Sequence, residues 1–295
     1  MKTPLRYAGG KSRAIKIITP FVQSYDEIYS PFMGGGSLEI HWASLGKKVY
    51  GYDVFDALVN FWQVLLSRPN ELADKLQQIN PTQDEYKRIK EILMKWENTQ
   101  EMLSDWKTEH YKRDEVIKLD DLTSAAYYYF NHNTSYGPGY LGWGSSVYLK
   151  QPKWDGMIKQ IRNFKLNTLE VNKSSFETIL QNNPDKFFYL DPPYYLKKDS
   201  DNKMFGGIYP MKNIAVHHDN FDHELLRDLL LNHKGNFVLS YNNCETIREY
   251  YKDFELFYPE WNYSLGNGET RIGDTRKESG STNTKESHEI LIVKR

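Results

Sequence analysis

The chain has 295 residues, with 38 Lys and Arg against 39 Asp and Glu for a formal charge of −1, and is 39% hydrophobic and 15% aromatic. Those fractions exclude wholesale disorder, and the near-neutral charge excludes a polycationic coat that holds DNA by electrostatics alone. A single cysteine, Cys244, excludes a disulfide framework and a thiolate zinc cluster, and no apolar run approaches the ~18–20 residues of a membrane span.

The length suits two domains, or one domain with a large insertion. Residues 1–20 carry Lys2, Arg6, Lys11, Arg13 and Lys16 with no acid, a local charge of +5, and read as a basic loop without a signal-peptide apolar region. A soluble cytoplasmic protein is expected. An apolar run at 28–32 is closed by Gly34, Gly35 and Gly36, and Ser37 is a fair N-cap for a helix over 38–45. Residues 48–52 alternate as a second strand that stops at Asp53. Strand, glycine turn, helix, strand and acid open a parallel βαβ unit.

From 57 to about 121 the spacing turns helical, with Leu72, Leu76 and Ile79 on one face and Tyr86, Ile89, Leu93 and Trp96 on another. Residues 71–121 hold 9 basic and 13 acidic side chains (9 − 13 = −4), the balance of a solvated helical insertion. Residues 131–146 interleave glycine and proline with aromatic residues and read as an exposed or ligand-facing loop. Strands are expected at 164–171, 187–190, 236–241 and 289–293, with helices at 176–182 and 219–233. The polar stretch 266–287, with four basic and four acidic residues, reads as a mobile loop.

Three local patterns carry chemistry. Asp191-Pro192-Pro193-Tyr194 follows a buried-strand signal, where ligands gather at the carboxyl end of an open sheet. The prolines stiffen the turn and leave bare carbonyls. Asp191 and the Pro192 carbonyl suit the two hydrogens of an amino group, and Tyr194 offers a face for a planar base. Pro31-Phe32-Met33-Gly34-Gly35-Gly36-Ser37 lets backbone approach a ligand closely at a helix N-terminus, although it is not the dinucleotide G-x-G-x-x-G. Asp53 is placed to accept from a ribose hydroxyl pair or to cap the next helix. Tyr7-Ala8-Gly9-Gly10-Lys11 can deliver an ammonium to an anion but lacks the first glycine of a phosphate loop. Cys244 follows Asn243 rather than proline, which argues against carbon-5 chemistry on cytosine.

In this order the three patterns resemble the Dam-like, alpha-group DNA adenine-N6 methyltransferases. The resemblance covers 4–60 and 165–295. It implies an α/β, Rossmann-like methyltransferase domain with a mostly parallel sheet (1–67 and 153–295) and a helical target-recognition insertion (68–152). It further implies S-adenosylmethionine as methyl donor, S-adenosylhomocysteine as product, and DNA as partner, with a flipped-out adenine as target. No metal and no membrane are expected, since a leaving thioether needs no Lewis acid.

Carried over residue by residue, Tyr7, Lys11, Phe32, Gly34, Gly35, Gly36, Asp53, Ser175, Phe176 and Asp191 fall at the cofactor, and Asp191, Pro192, Pro193 and Tyr194 at the catalytic motif. Ser30 stands where the family usually has an acid, and Gly35 where it often has a side chain. For DNA, Asn131, Asn133, Tyr136 and Trp143 are expected to enter a groove or stack on a base. Arg6, Arg13 or Lys16, with Lys197 and Lys198, are expected to reach phosphates. Methylation of cytosine N4, of an RNA amine, or a catalytically silent DNA-binding protein of the same fold remain as alternatives.

Overall fold

The computed structural model describes residues 1–104, 113–137, 139–195, 221–259, 262–264, 284–286 and 289–295. A 3-10 turn at Lys11–Arg13 leads into α1 (Ile15–Val22), β1 (Glu27–Ser30), α2 (Ser37–Ser44), β2 (Lys48–Asp53) and α3 (Asp56–Ser67). Helices α4 (Pro69–Gln77), α5 (Gln83–Lys95), α6 (Glu97–Ser104), α7 (Asp121–Thr134) and α8 (Gln151–Arg162) follow. The chain then returns through β3 (Leu169–Lys173), α9 (Phe176–Asn182), β4 (Phe188–Leu190), α10 (His223–Asn232) and β5 (Phe237–Asn242). It closes with α11 (Glu245–Tyr250), β6 (Glu255–Phe257), β7 (Asn262–Ser264), β8 (Thr284–Glu286) and β9 (Glu289–Lys294).

Seven strands form one sheet in the order β3-β2-β1-β4-β5-β9-β6, and β7 pairs with β8 separately. The β1–β2, β2–β3, β1–β4 and β4–β5 pairs are parallel, whereas β9 runs antiparallel to both β5 and β6. This is the Rossmann-like, mostly parallel architecture that the βαβ opening implies. Strands β4 and β5 are buried along their whole length, as expected of strands covered on both faces. Chain order reverses between β1 and β4, so a crevice opens at their carboxyl ends, where doubly wound sheets bind ligands.

Helices α3, α4, α5 and α7 share one continuous apolar cluster with the sheet, including Leu72, Leu76, Tyr86, Ile89 and Leu93 at the expected spacing. Local capping fits the helix starts. Thr82 accepts from Glu85 N at 3.2 Å, Asp120 from Thr123 N at 2.9 Å and Asp222 from Leu225 N at 2.8 Å.

Several expectations are corrected. The basic N-terminal stretch is not all loop: Ile18 and Val22 are fully buried from α1, and this packing outweighs the hydrogen bond lost at Pro20. Ser37 is already helical. Gly36, at φ 62°, takes the cap position with no side-chain cap. Helix α7 runs to Thr134, so the expected loop begins four residues late; α8 occupies a stretch that had no assigned element, and β3 starts at Leu169 rather than 164. Residues 284–286 of the expected 266–287 loop form β8, and 266–283 lie outside the described residues. Among the described residues, no helix is long and apolar enough to cross a membrane.

One carboxyl group is buried beneath the crevice. Glu39, in the first turn of α2, accepts from Ser30 Oγ at 2.8 Å. Burial pushes its pKa up to about 7, against the pull of backbone hydrogen bonding and of Ser30. A carboxyl raised in the folded state favours folding below its unfolded value of about 4.5, and that advantage disappears as pH rises through 7. Glu39→Gln should therefore gain on wild type by about 2–3 kcal/mol between pH 4.5 and pH 8.5. Denaturant unfolding at the two pH values checks this, and the difference between them cancels the amide's own packing cost.

Candidate active site at the sheet switch point

The site is assembled where three backbone turns meet above β1 and β4. Strand β4 ends at Leu190 and delivers Asp191 to the crevice. The 3-10 turn delivers Lys11, whose side chain is only 4% exposed. Lys11 Nζ donates to Asp191 Oδ1 at 2.7 Å and Oδ2 at 2.8 Å, and to Tyr194 Oη at 3.1 Å. Glu289, at the start of β9, lies 3.5 Å from the same ammonium. Tyr194 Oη donates to Glu289 Oε1, and Ser240 Oγ from β5 donates to Glu289 Oε2 at 3.0 Å.

These contacts set the charge states. Burial pushes the Lys11 ammonium down, but Asp191 and Glu289 hold its pKa above the ordinary lysine value. Burial raises the Asp191 carboxyl and the Lys11 ammonium pulls it back, while 22% of the Asp191 side chain still meets solvent. Glu289 is pushed up to about 7 by burial, with Lys11 opposing. Sequence reasoning missed Glu289. Its signal was an acid opening the apolar run EILIV, but reaching the site depends on the antiparallel direction of β9.

Beside Asp191, the glycine turn follows β1. Gly36 N donates to Met33 O at 2.9 Å, and a Cβ on Gly36 would meet Met33 Cε at 2.6 Å. At Gly35 a Cβ would lie 2.4 Å from Tyr7 Cβ, so the missing side chain is what lets the Tyr7 loop close over the turn. Asp53 ends β2 half-buried. Its Oδ2 accepts from Gly34 N at 3.0 Å and its Oδ1 from Phe55 N at 3.1 Å, so it ties the turn to the entry of α3. Phe32 stacks on Phe176 at 5.6 Å between ring centroids, and Phe221 lies 5.2 Å from Phe176. Ser175, the N-cap of α9, accepts from Thr178 N at 3.4 Å. Of the expected cofactor residues, Tyr7, Gly34, Gly35 and Asp53 thus meet at the turn, and Phe32 packs on Phe176.

Other expected residues sit differently. Tyr194, expected to offer a stacking face, is 6% exposed with its hydroxyl turned inward to Lys11 and Glu289. Pro192 is buried, Pro193 partly exposed, and Asn242 clamps the chain beyond them by accepting from Tyr195 N at 2.8 Å and donating to Tyr195 O at 2.9 Å.

Asn131 and Asn133 are buried in the last turn of α7 rather than facing a groove. Asn131 Oδ1 accepts from Leu141 N at 2.7 Å. Asn133 accepts from Arg6 N at 3.0 Å and donates to Pro4 O at 2.8 Å. Asn133 spends both ends of its amide, and Asn131 its oxygen, on buried backbone rather than on a base. Arg6, expected at phosphates, is likewise partly buried. It donates to Asn133 O at 2.6 Å and Ser135 O at 3.1 Å, at the negative end of α7.

Tyr136 and Trp143 do face outward, 60% and 80% exposed, on a hairpin closed by a Ser135–Gly144 bridge and by Tyr136 N donating to Trp143 O at 2.7 Å. Arg13 and Lys16 are exposed, and Lys197 and Lys198 lie outside the described residues. Among the described residues, no three His, Cys, Asp or Glu side chains form a metal-binding group.

Residues 7–265 match the family described as D12 class N6 adenine-specific DNA methyltransferase. No curated protein matches the chain. Among solved structures, precorrin 8W decarboxylase of Methanobacterium thermoautotrophicum is similar at 10% identity and a TM-score of 0.32, over 95% of this chain and 88% of that chain.

The ion pair yields a direct test. Lys11→Met leaves two buried carboxyl groups without their ammonium and should cost about 3 kcal/mol at pH 8.5, the low end for breaking a buried pair because Asp191 is partly exposed. Without the Lys11 ammonium the Glu289 carboxyl rises further above about 7, so the deficit should shrink as pH falls from 8.5 toward 7 and level off below. Urea unfolding across pH 5.5–8.5 measures both the deficit and its trend.

Proposed function

Because the chain belongs to the D12 class N6 adenine-specific DNA methyltransferase family, we propose that Asp191 and its neighbours methylate a flipped-out adenine with S-adenosylmethionine as donor. The enzyme is a site-specific DNA methyltransferase, and the family's adenine specificity favours N6 over the cytosine N4 and RNA alternatives. One observation supports the assignment of the site above the others. Asp191 stands at the end of β4, directly beside the glycine turn that ends β1, so an amine acceptor and a backbone cradle share one crevice.

The residues present suit the donor. The missing side chains let Tyr7 and Met33 pack directly on the glycine turn, and the N-terminal dipole of α2, which begins there, suits a carboxylate. Asp53 suits a ribose hydroxyl pair, Phe32 and Phe176 suit an adenine face, and Tyr7 closes over Gly34 and Gly35. S-adenosylmethionine supplies an electrophilic methyl group when bound.

The chain's own part is to bring the amine into line. A base inside a duplex cannot reach the end of β4, so the target must leave the stack. Asp191 accepts one N6 hydrogen and the Pro192 carbonyl the other, which localises the nitrogen lone pair for attack. Lys11 holds Asp191 in place. Tyr136 and Trp143, from the 68–152 segment proposed for target recognition, suit stacking on bases at the duplex surface, at about 1–3 kcal/mol per base. Arg13, Lys16, Lys197 and Lys198 suit phosphates. A cytoplasmic setting fits a DNA substrate in a prokaryotic or virus-infected cell.

Two substitutions separate chemistry from binding. Asp191→Ala should abolish methyl transfer to duplex DNA while leaving donor affinity within about tenfold, because the amine loses its acceptor. Asp53→Ala should weaken donor binding by about 1.5–3 kcal/mol, the worth of charged hydrogen bonds, with little change in DNA affinity measured without donor. Titration calorimetry and radiolabelled methyl transfer read the two quantities. Wild-type turnover in Asp191→Ala would overturn the assignment.

A further inference from the structure

Methylating an amine leaves a proton to dispose of. The N6 lone pair forms the new N–C bond, the pair of the broken C–S bond stays on sulfur as a neutral thioether, and the nitrogen is left cationic. Asp191 is the first acceptor, but a neutral Asp191 beside a charged Lys11 has lost the partner that holds it. The structure offers an exit. Lys11 Nζ donates to Asp191 at 2.7 Å and to Tyr194 Oη at 3.1 Å, and Tyr194 Oη donates to Glu289.

We propose that Glu289 receives the product proton through this chain of hydrogen bonds. It acts through Tyr194 and Lys11 as a positioning and proton-accepting residue that never touches the base. The inference rests on the reading of Asp191 as the amine acceptor.

The step balances. The N6 proton passes to Asp191, Asp191 returns a proton to Lys11 as Lys11 gives one to Tyr194, and Tyr194 gives its own to Glu289. Lys11, Tyr194 and Asp191 regain their starting states, and Glu289 ends neutral. Two features fit Glu289 to the role beyond its place in the chain. It is fully enclosed, with Ser240 Oγ donating to its second oxygen at 3.0 Å. Burial pushes its carboxyl up to about 7 while Lys11 pulls it down, which suits both holding Lys11 and accepting a proton. The charged or titratable groups facing it among the described residues are Lys11 from the 3-10 turn, Asp191 and Tyr194 beyond β4, and Tyr189 within β4.

A purely structural Glu289 would anchor Tyr194 and balance Lys11 without affecting the pH dependence of the chemistry. The test is single-turnover methyl transfer from labelled S-adenosylmethionine to unmethylated plasmid DNA, with enzyme in excess, across pH 5.5–9. Wild type should accelerate with pH and level off above an inflection near 7. Glu289→Gln keeps an acceptor for Tyr194 but cannot take the proton, so it should run about 10²-fold slower with a flat profile and unchanged donor affinity.

Ser240→Ala removes a hydrogen bond to the ionised carboxylate and should move the inflection to higher pH. This small substitution decides the matter even where Glu289→Gln fails to fold. An inflection unmoved in Ser240→Ala, or Glu289→Gln matching wild type in rate and profile, overturns the relay alone. Absence of labelled DNA with wild type at every pH overturns the reading of Asp191 and the relay with it.

Discussion

The site depends on one contact, the ion pair between Lys11 and Asp191, whose partners lie 180 residues apart in sequence. A buried ion pair is a poor source of net stability, because desolvating both charges offsets their attraction. What it supplies is a fixed geometry. Holding Asp191 on both oxygens leaves the carboxylate one orientation at the end of β4. That constraint requires the N-terminal loop to cross the glycine turn, and the turn must lack side chains for the loop to pass.

Each neighbouring element serves that crossing. Gly35 gives Tyr7 room, Asp53 ties the turn to α3, and Arg6 binds the loop to the carbonyl end of α7. On the far side, the one antiparallel partner of β5 brings Glu289 to the same end of the sheet as Asp191, since its first residue pairs with Asn242, the last of β5. Asn242 in turn clamps Tyr195. Three carboxyl groups, Glu39, Asp191 and Glu289, thus surround one crevice with a single ammonium among the described residues deep within it. Their proton affinities are set by burial as much as by sequence identity.

Much of this was legible in the sequence where the signal is local. A short apolar run followed by Asp191-Pro192-Pro193 marks β4 and its turn, and the alternation before Asp53 marks β2 within a residue. The helical faces of Leu72 and Leu76, or of Tyr86 and Ile89, follow from spacing alone. Long-range packing decided the rest. Asn131 and Asn133 look like loop residues because asparagine favours turns, but burial against the N-terminal loop carries α7 through them. The direction of β9, and with it the place of Glu289, depends on which strand the last segment pairs with. No local spacing encodes that. Tyr194 followed the same rule: its position was readable, but the inward turn of its hydroxyl depends on Glu289.

The chemistry proposed for this crevice is methylation of the exocyclic amine of adenine in DNA. The most direct measurement is nucleoside mass spectrometry of duplex DNA incubated with the protein and S-adenosylmethionine bearing a deuterated methyl group. The labelled methyl group is expected on N6 of deoxyadenosine and none on deoxycytidine. Label on cytosine N4, or unlabelled DNA with a protein that binds the donor, would contradict it.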